Sequence, residues 1–148
     1  MKAQNSMTSV QPPADVQADV VTTLVVPDGP GLPVPVRMSF WRSDPFAVHL
    51  GFDTGDHALV TWTFARELLD KGTREPTGLG DVQVTPATPE GRRLVVGLSS
   101  PTGQATFELD RSAVQNFLGA TFALVPAGHE SDQLDVDAEL ESVLAGNG

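Results

Sequence analysis

The stretch FARELLDKGTREPTGLGDVQVTP, residues 64–86, decides how this chain is organised. Its apolar residues recur at helical spacing over positions 64–69. Glu67 precedes Lys71 by four positions, the order that favours an ion pair on a helix. Gly72 follows at once and is predicted to supply the left-handed residue that ends the helix. The first third of the stretch therefore predicts a helix of two turns.

The rest of the stretch predicts a return to strand. Pro76 prevents the helix from restarting, because proline lacks the backbone N–H that the helix needs. Gly78 and Gly80 mark turns, and residues 81–85 alternate polar and apolar side chains as a strand does. We therefore expect a helix that links two strand-rich halves.

On either side of this helix the chain shows strand patterns joined by short turns. Strands are predicted at 20–26, 34–41, 46–53 and 58–63 before it, and at 81–85, 92–98 and 104–109 after it. Asp110 is predicted to cap a helix that ends near residue 119, and a last amphipathic helix is predicted over 134–145. Runs of strands followed by helices predict an α+β fold with antiparallel sheets, built as two similar halves.

Length and composition indicate one soluble-type domain. The chain has 148 residues and no cysteine, which excludes disulfides, thiol catalysis and thiolate metal sites. Its longest apolar runs fall far short of the ~20 residues that a membrane helix needs. Residues 1–18 are polar and lack the apolar core of a secretory signal, so we expect a disordered tail there and a single domain over 19–146.

The net charge of −10 is unevenly distributed. Residues 128–148 hold six acidic and no Lys or Arg residues. A negative C-terminal face opposes binding to phosphate backbones. The alternative interpretation, which the sequence favours, is a solvated helix face that aids solubility.

Histidines offer the first candidate metal ligands. The chain contains His49, His57 and His129, and no two of them have helical metal-binding spacing. His57 lies close to Asp53 and Asp56, so these three residues could hold a metal weakly. The polarity of a surface hairpin explains the same residues, and the sequence favours that explanation.

No other motif predicts a cofactor or a catalytic group. Residues 135–139 resemble the start of a calcium loop, but Leu140 and Gly146 stand where that loop needs glycine and glutamate. The Gly78–Gly80 pair lacks the third glycine of a dinucleotide site, and Ser99-Ser100 is not framed as a nucleophile elbow. We therefore expect no enzyme activity, no metal and no cofactor.

Nucleic-acid binding is the second class of function to weigh. Its candidate residues are Arg37, Trp41, Arg42, Arg92 and Arg93. Arginines interleaved with aromatic side chains can neutralise and stack on a single strand. The acidic charge and the 6% aromatic content oppose this function. Trp41 and Trp62 are more often core or interface residues, and a domain with no evident site favours a module that binds other proteins.

Four segments carry a resemblance to a known family. They are LPVPVRMSFWRSDPFAVHLGF (32–52), WTFARELLDKGTREPTGLGDVQVTP (62–86), LVVGLSSPTGQATFELDRSAVQNFL (94–118) and VPAGHESDQLDVDAELESVLA (125–145). In this order and spacing the chain resembles the SsgA-like family, the sporulation and cell-division proteins of actinobacteria, and is most like its SsgB-type members. Thr85 departs from the family, which often places tryptophan there.

The resemblance implies a non-enzymatic regulator of sporulation-specific cell division. SsgB-type proteins act with SsgA and recruit the tubulin-like protein FtsZ to septum sites in the cytoplasm. The fold implied is a pair of curved antiparallel sheets in two ββββα-like halves, similar to the whirly-type single-stranded nucleic-acid-binding proteins, assembled as a trimer. The resemblance names no partner-binding residues, and the fold leaves single-stranded nucleic-acid binding as the alternative function.

Overall fold

The computed structural model describes residues 2–6, 12–55, 59–88 and 90–135. Within these residues it contains nine strands, two helices and a further helical segment over 130–135. The strands are β1 (Lys2–Ser6), β2 (Val16–Leu24), β3 (Leu32–Phe40), β4 (Ala47–Asp53), β5 (Leu59–Ala65), β6 (Thr77–Leu79), β7 (Val82–Pro86), β8 (Arg93–Ser100) and β9 (Gly103–Asp110). The helices are α1 (Arg66–Gly72) and α2 (Arg111–Leu124).

All nine strands lie in one antiparallel sheet with the order β1-β5-β4-β3-β2-β9-β8-β7-β6. Strands β2–β5 followed by α1, and β6–β9 followed by α2, form two ββββα halves, with β1 added at one edge. The expected α+β class is confirmed. The expectation of separate sheets is wrong, because β2 and β9 join the halves through two residue pairs, Thr23 with Glu108 and Leu24 with Phe107.

The sheet curls around a core to which both halves contribute. Strand β4 shows the alternation that the sequence predicted. Val48, Leu50 and Phe52 are buried in the core, whereas His49 and Asp53 lie on the outer face. Helix α1 adds its leucines to the same core, and α2 adds Val114, Phe117 and Leu118. Burial of one face of every long strand fixes the register, since a slip by one residue would expose that face.

The two prolines of β3 lie outside the part of the strand that pairs with β4. Strand β3 pairs with β2 along its whole length but with β4 only from Val36 to Ser39. Pro33 and Pro35 therefore precede the residues that need hydrogen bonds on both sides. This placement explains how a strand in the middle of the sheet order tolerates two residues without an N–H.

Several predicted boundaries are corrected by the structure. Within the segment predicted as a tail, Lys2–Ser6 pairs with β5, and β2 begins at Val16 instead of residue 20. Strand β6, Thr77–Leu79, was not predicted. Helix α2 continues past Gly119 to Leu124. The predicted last helix falls mostly outside the described residues, within which residues 130–135 are helical.

Gly72 has a different role from the predicted one. It is the final residue of α1, its φ is not positive, and Thr73 after it has φ −71°, in the right-handed region. A Cβ on Gly72 would collide with the side chain of Val84 in β7. Glycine is required here because the helix packs closely on the strand, not because the chain turns. Gly80, with φ 64°, is the residue of this stretch that has a left-handed conformation.

Candidate partner-binding site

A buried arginine joins the first helix to the end of the second. Arg66, the first residue of α1, is 1% exposed. Its Nη1 donates to the backbone carbonyls of Val125 at 2.8 Å and Thr121 at 3.2 Å, and its Nη2 donates to a carboxylate oxygen of Glu130 at 2.8 Å. Arg66 therefore ties α1 to the last turn of α2 and to the segment that follows.

Two aromatic rings flank the same guanidinium. Its central carbon lies 4.2 Å from the ring centroid of Phe122 and 5.1 Å from that of Phe40. A ring face attracts a cation most strongly where water is excluded, so this stacking compensates part of the cost of burying the charge. Burial alone raises the pKa of Glu130, but the hydrogen bond from Arg66, together with backbone hydrogen bonds and the arginine charge, holds it below its usual range.

An uncharged cleft opens at the opposite end of the sheet. We call this end the hairpin end. Strands β2, β4 and β8 end there, and strands β3, β5 and β9 begin there. The cleft floor consists of Phe52, Trp62 and Phe107, and its rim includes Thr102 and Gln104. Phe52 and Phe107 pack with ring centroids 4.5 Å apart. None of the described residues that line the cleft is charged, so it suits an apolar group.

The outer face of the sheet carries a shallow groove over β2–β5. Gly51 leaves a gap between neighbouring side chains, and Val21, which is 63% exposed, stands beside it with Pro35 and Leu59. Asp19, Arg37 and Asp53 also line the groove, which therefore combines apolar and charged side chains. We call this surface the outer groove.

Two of the basic residues that suggested nucleic-acid binding, Arg37 and Arg42, pair with acidic ones. Arg37 Nε donates to Asp19 at 2.8 Å, and the guanidinium of Arg42 lies 3.8 Å from the carboxylate of Asp15. The hydrogen bond from Arg37, although opposed by weak burial, lowers the pKa of Asp19, so the pair stays ionised at neutral pH. Trp41 donates its indole N–H to the backbone of Pro12.

Arg93 is separated from that group, in β8 of the second half, where it reaches the Thr23 hydroxyl at 3.5 Å. Trp62, in contrast, lies in the core at the cleft floor, as the sequence suggested for a tryptophan. The structure thus does not gather the five candidates into one unpaired basic surface.

His49 occupies a half-buried position on the outer face. Its Nδ1 lies 2.9 Å from Thr63 Oγ1, and its Nε2 lies 3.3 Å from a carboxylate oxygen of Asp44. The rings of Trp41 and His49 pack in a T-shaped arrangement with centroids 4.9 Å apart. Burial lowers the pKa of His49, and this effect exceeds the opposing influence of Asp44. The imidazole therefore favours its neutral form in the folded protein.

The remaining sequence candidates have local structural roles or lie outside the described residues. His129 pairs with Asp132 three residues later, and Ser100 bonds within the β8–β9 turn. His57 and residues 136–139 of the calcium-like pattern are among those not described. Over 2–6, 12–55, 59–88 and 90–135, no group of three or more His, Asp or Glu side chains could hold a metal ion.

The fold and sequence match known proteins over most of the chain. The family described as "Streptomyces sporulation and cell division protein, SsgA" matches residues 34–130. The sporulation-specific cell division protein SsgB of Frankia casuarinae is 48% identical over 132 residues, which cover 88% of this chain and 92% of that protein. SsgB of Streptomyces coelicolor is 43% identical over 88% of this chain and 96% of its own length.

This chain belongs to the SsgA family. Solved structures of the family share its fold. A structure of SsgB, in which mutations correlate to longitudinal cell division during sporulation of Streptomyces coelicolor, superposes with a TM-score of 0.75 at 41% identity over 80% of this chain and 94% of that one. The SsgA-like sporulation-specific cell division protein of Thermobifida fusca gives a TM-score of 0.78 at 40% identity over 86% of this chain and 93% of that one.

Sequence reasoning about this SsgA-family protein missed the role of Arg66. The segment Phe64-Ala65-Arg66 carried the resemblance, but no function was attached to the arginine. One signal was present: Arg66 stands three residues before Leu69, and therefore on the buried face of α1. The cleft gave no sequence signal, because its floor comes from three separate strands. In the described part of the chain, no helix combines the length and apolar character needed to cross a membrane.

Proposed function

We propose that this protein is a non-enzymatic regulator of sporulation-specific cell division that recruits or tethers FtsZ at septum sites through protein–protein contacts. The observation that carries the proposal is its 48% and 43% identity to SsgB proteins over nearly their full lengths. Those relatives are named as sporulation-specific cell division proteins. The outer groove and the uncharged cleft add surfaces that suit protein partners.

The mechanism we propose depends on repetition of weak contacts. The domain over residues 19–146 acts in the cytoplasm, at the septum, as a homotrimer and together with an SsgA-type protein. Three copies of one surface facing a polymer gain avidity, because the second and third contacts form at a high effective concentration. A contact that is weak in the monomer then suffices to hold a filament at a site.

The outer groove is the surface at which we place the FtsZ contact. Val21 is its most exposed apolar side chain at 63%. Val21→Asp adds a charge to that surface, while Val21→Thr keeps the β-branched shape and is the matched control. We expect the protein to co-sediment with polymerised FtsZ, Val21→Asp to lose most of that binding, and Val21→Thr to keep more of it. A folded wild-type oligomer that stays in the supernatant would overturn the FtsZ proposal.

Single-stranded nucleic-acid binding is the alternative function, based on similarity to the whirly-type fold. The ion pairs of Arg37 with Asp19 and of Arg42 with Asp15 speak against it, because they engage the arginines that a phosphate would need. Titration of labelled single strands at low salt tests it. We expect no saturable binding; binding that strengthens as salt is lowered would favour the alternative.

A further inference from the structure

The two edges of the sheet are covered in different ways. At one edge lies β6, which is three residues long and contacts α1. At the other edge lies β1, which pairs with the seven-residue strand β5. A short edge strand beside a helix offers little backbone to another chain, whereas β5 presents a long row of free backbone groups whenever β1 leaves it. The edge of β5 is therefore the edge at which this sheet can accept another strand.

Alternate residues of β5 direct their backbone groups toward β1. The Arg66 N–H donates to the Phe46 carbonyl at 2.8 Å, directly after the last residue pair between β5 and β4. Because hydrogen-bonded pairs alternate along an antiparallel ladder, even-numbered residues of β5 bond to β4 and odd-numbered residues bond to β1. The odd-numbered residues that pair with β1 are Leu59, Thr61 and Thr63.

The sequence of β1 is poorly suited to hold this edge permanently. Its five residues, KAQNS, include no β-branched or aromatic residue, the types that favour strands. Gln4 pairs with Thr61 at the centre and exchanges both backbone hydrogen bonds with it. On either side of Gln4, the N–H groups of Ala3 and Asn5 point away from β5. We therefore expect β1 to leave the edge far more readily than the inner strands separate.

The chain is anchored between β1 and β2. The indole N–H of Trp41 donates to the Pro12 carbonyl at 2.8 Å, and the backbone N–H of Arg42 donates to the Asp15 carboxylate at 2.8 Å. Neither contact involves β1 or β5, so β1 can leave β5 without breaking them. A released β1 stays tethered near the edge at high effective concentration, and it therefore competes with any other strand that binds there.

We propose that the edge of β5 is a docking site for an extended segment of a partner protein, and that β1 is a cover which this segment displaces. The segment adds to the sheet as β1 does, antiparallel and through backbone hydrogen bonds. Thr61 and Thr63 are half-buried beside it. Because β-branched residues pair well across strands with threonine, the partner segment carries them where β1 has Lys2 and Gln4. The tests contain no FtsZ, so they succeed or fail independently of the proposed function.

Hydrogen exchange of the wild-type protein tests whether β1 is displaceable. The Thr61 N–H is protected only while β1 is docked, whereas the Trp62 N–H bonds to β4. If β1 is released in roughly 1–10% of molecules, Thr61 should be protected about 10- to 100-fold. Trp62 should be protected by about 1,000-fold or more, because its exchange requires opening of the sheet. Equal protection of the two amides would show a permanent strand, and an unprotected Thr61 would show that β1 is no cover; either result would refute the proposal.

Disulfide capture tests whether the released edge binds an added strand. No cysteine is present in the chain, so Val60→Cys introduces a single thiol. Val60 lies opposite Asn5 in a non-hydrogen-bonded pair, where facing side chains are closest. The probe is a synthetic peptide of residues 1–6 that carries Lys2→Val, Gln4→Val and Asn5→Cys. The same peptide with proline at position 4 cannot dock and measures disulfide formation without binding.

Two proline variants of the Val60→Cys protein separate release of β1 from general disturbance. Gln4→Pro removes the N–H that bonds to Thr61 and should release β1. Ala3→Pro is the matched control, because an edge strand tolerates proline where the N–H points away from the sheet. Gln4→Pro should increase capture of the peptide about 10- to 100-fold, since the fraction of molecules with a free edge rises from roughly 1–10% to nearly all. Ala3→Pro should leave capture unchanged.

The outcomes of the capture experiment decide between the possible occupants of the edge. Equal capture by the Val60→Cys protein with and without Gln4→Pro would show that β1 does not control the edge. Capture that is no faster than with the proline-containing peptide would show that the edge binds no added strand. Disulfide dimers of the Gln4→Pro protein in place of peptide capture would show that the edge accepts a second copy of this chain. Each of these results would contradict the proposal.

Discussion

Replacement of Arg66 by methionine should destabilise the fold far more than any surface substitution. Methionine fills much of the space of the arginine stem but lacks every donor. The carbonyl of Val125 loses the donor that Arg66 supplies, and Glu130 loses its cationic partner, while the carbonyl of Thr121 keeps its bond from the N–H of Val125. The stacking on Phe40 and Phe122 also loses its charge.

The magnitude follows from these separate losses. A buried acceptor without a partner costs about 1–3 kcal/mol, and a desolvated cation–π contact contributes about 1–2 kcal/mol. Glu130 is 16% exposed, so water compensates part of its loss. The lost hydrogen bond, the lost cation–π contact and the partly compensated loss at Glu130 together predict a decrease in the free energy of unfolding of about 3–4 kcal/mol. In a domain of this size that corresponds to a Tm lower by about 10–15 °C.

The assay is denaturant and thermal unfolding at one fixed protein concentration, because self-association also raises Tm. Arg66→Lys is the matched control. Lysine keeps the charge but cannot reach three acceptors in the planar arrangement of arginine, so it should cost about 1–2 kcal/mol. If Arg66→Met lowered stability by less than about 1 kcal/mol, the assignment of Arg66 as the link between α1 and α2 would be refuted.

Glu130→Gln tests the same link from the other side. The lowered pKa of Glu130 means that its contribution is present above the unfolded-state value, 4.5, and is lost as pH falls through the lower folded-state value. Glutamine should remove that part of the acid-induced loss of stability. The double variant with Arg66→Met should lose less stability than the sum of the two single variants, since both remove one interaction.

Three further predictions concern a close contact, a titration and a helix cap. Gly72→Ala should destabilise the fold by about 1–3 kcal/mol despite the higher helix propensity of alanine, because the new Cβ meets Val84. Gly119→Ala in α2 is the control and should be neutral or stabilising, since no atom lies within 4 Å of the new Cβ. Equal effects of the two variants in unfolding titrations would contradict this account. The lowered pKa of His49 predicts that the folded protein loses stability as pH falls below 6.5, the pKa of histidine in the unfolded chain. His49→Gln should reduce that loss of stability. If the variant and the wild type gave the same curve of stability against pH above pH 5, His49 would be excluded as the source of the loss. Asp110→Ala should cost about 1 kcal/mol by removing the cap of α2, and Asp110→Asn should cost less, as measured by denaturant midpoint; identical midpoints for all three proteins would show that the cap is dispensable.

The local pattern was sufficient to predict most strands and the helices α1 and α2. Alternation placed β4 within a residue of its observed start, and Asp110 was identified as the helix cap that the structure shows. These predictions succeeded because period and capping depend on neighbours in the sequence. Strand β1 was missed because its pairing depends on a distant partner, β5. Strand β6 pairs with the adjacent β7, but its three residues are too few to show an alternating pattern.

The candidate site was much less accessible to sequence reasoning. Histidine, serine and arginine motifs attracted attention, yet His129 and Ser100 have only local contacts and Arg37 is paired with Asp19. The residues that matter most for the proposed surfaces, such as Val21 and Phe107, looked like ordinary apolar residues. Whether such a residue is buried or protrudes depends on which elements pack beside it, and a short window does not contain those elements.

The sequence by itself determined the family, the α+β class, the acidic charge and the position of α1 between the two halves. These properties follow from composition, periodicity and residue order, all of which are local. Only the tertiary structure decided that the two halves share one sheet, that Arg66 ties α1 to the end of α2, and that glycine at position 72 serves a close contact with Val84. The physical reason is that burial, charge pairing and steric contact arise between residues far apart in the sequence, 64 positions in the case of Arg66 and Glu130.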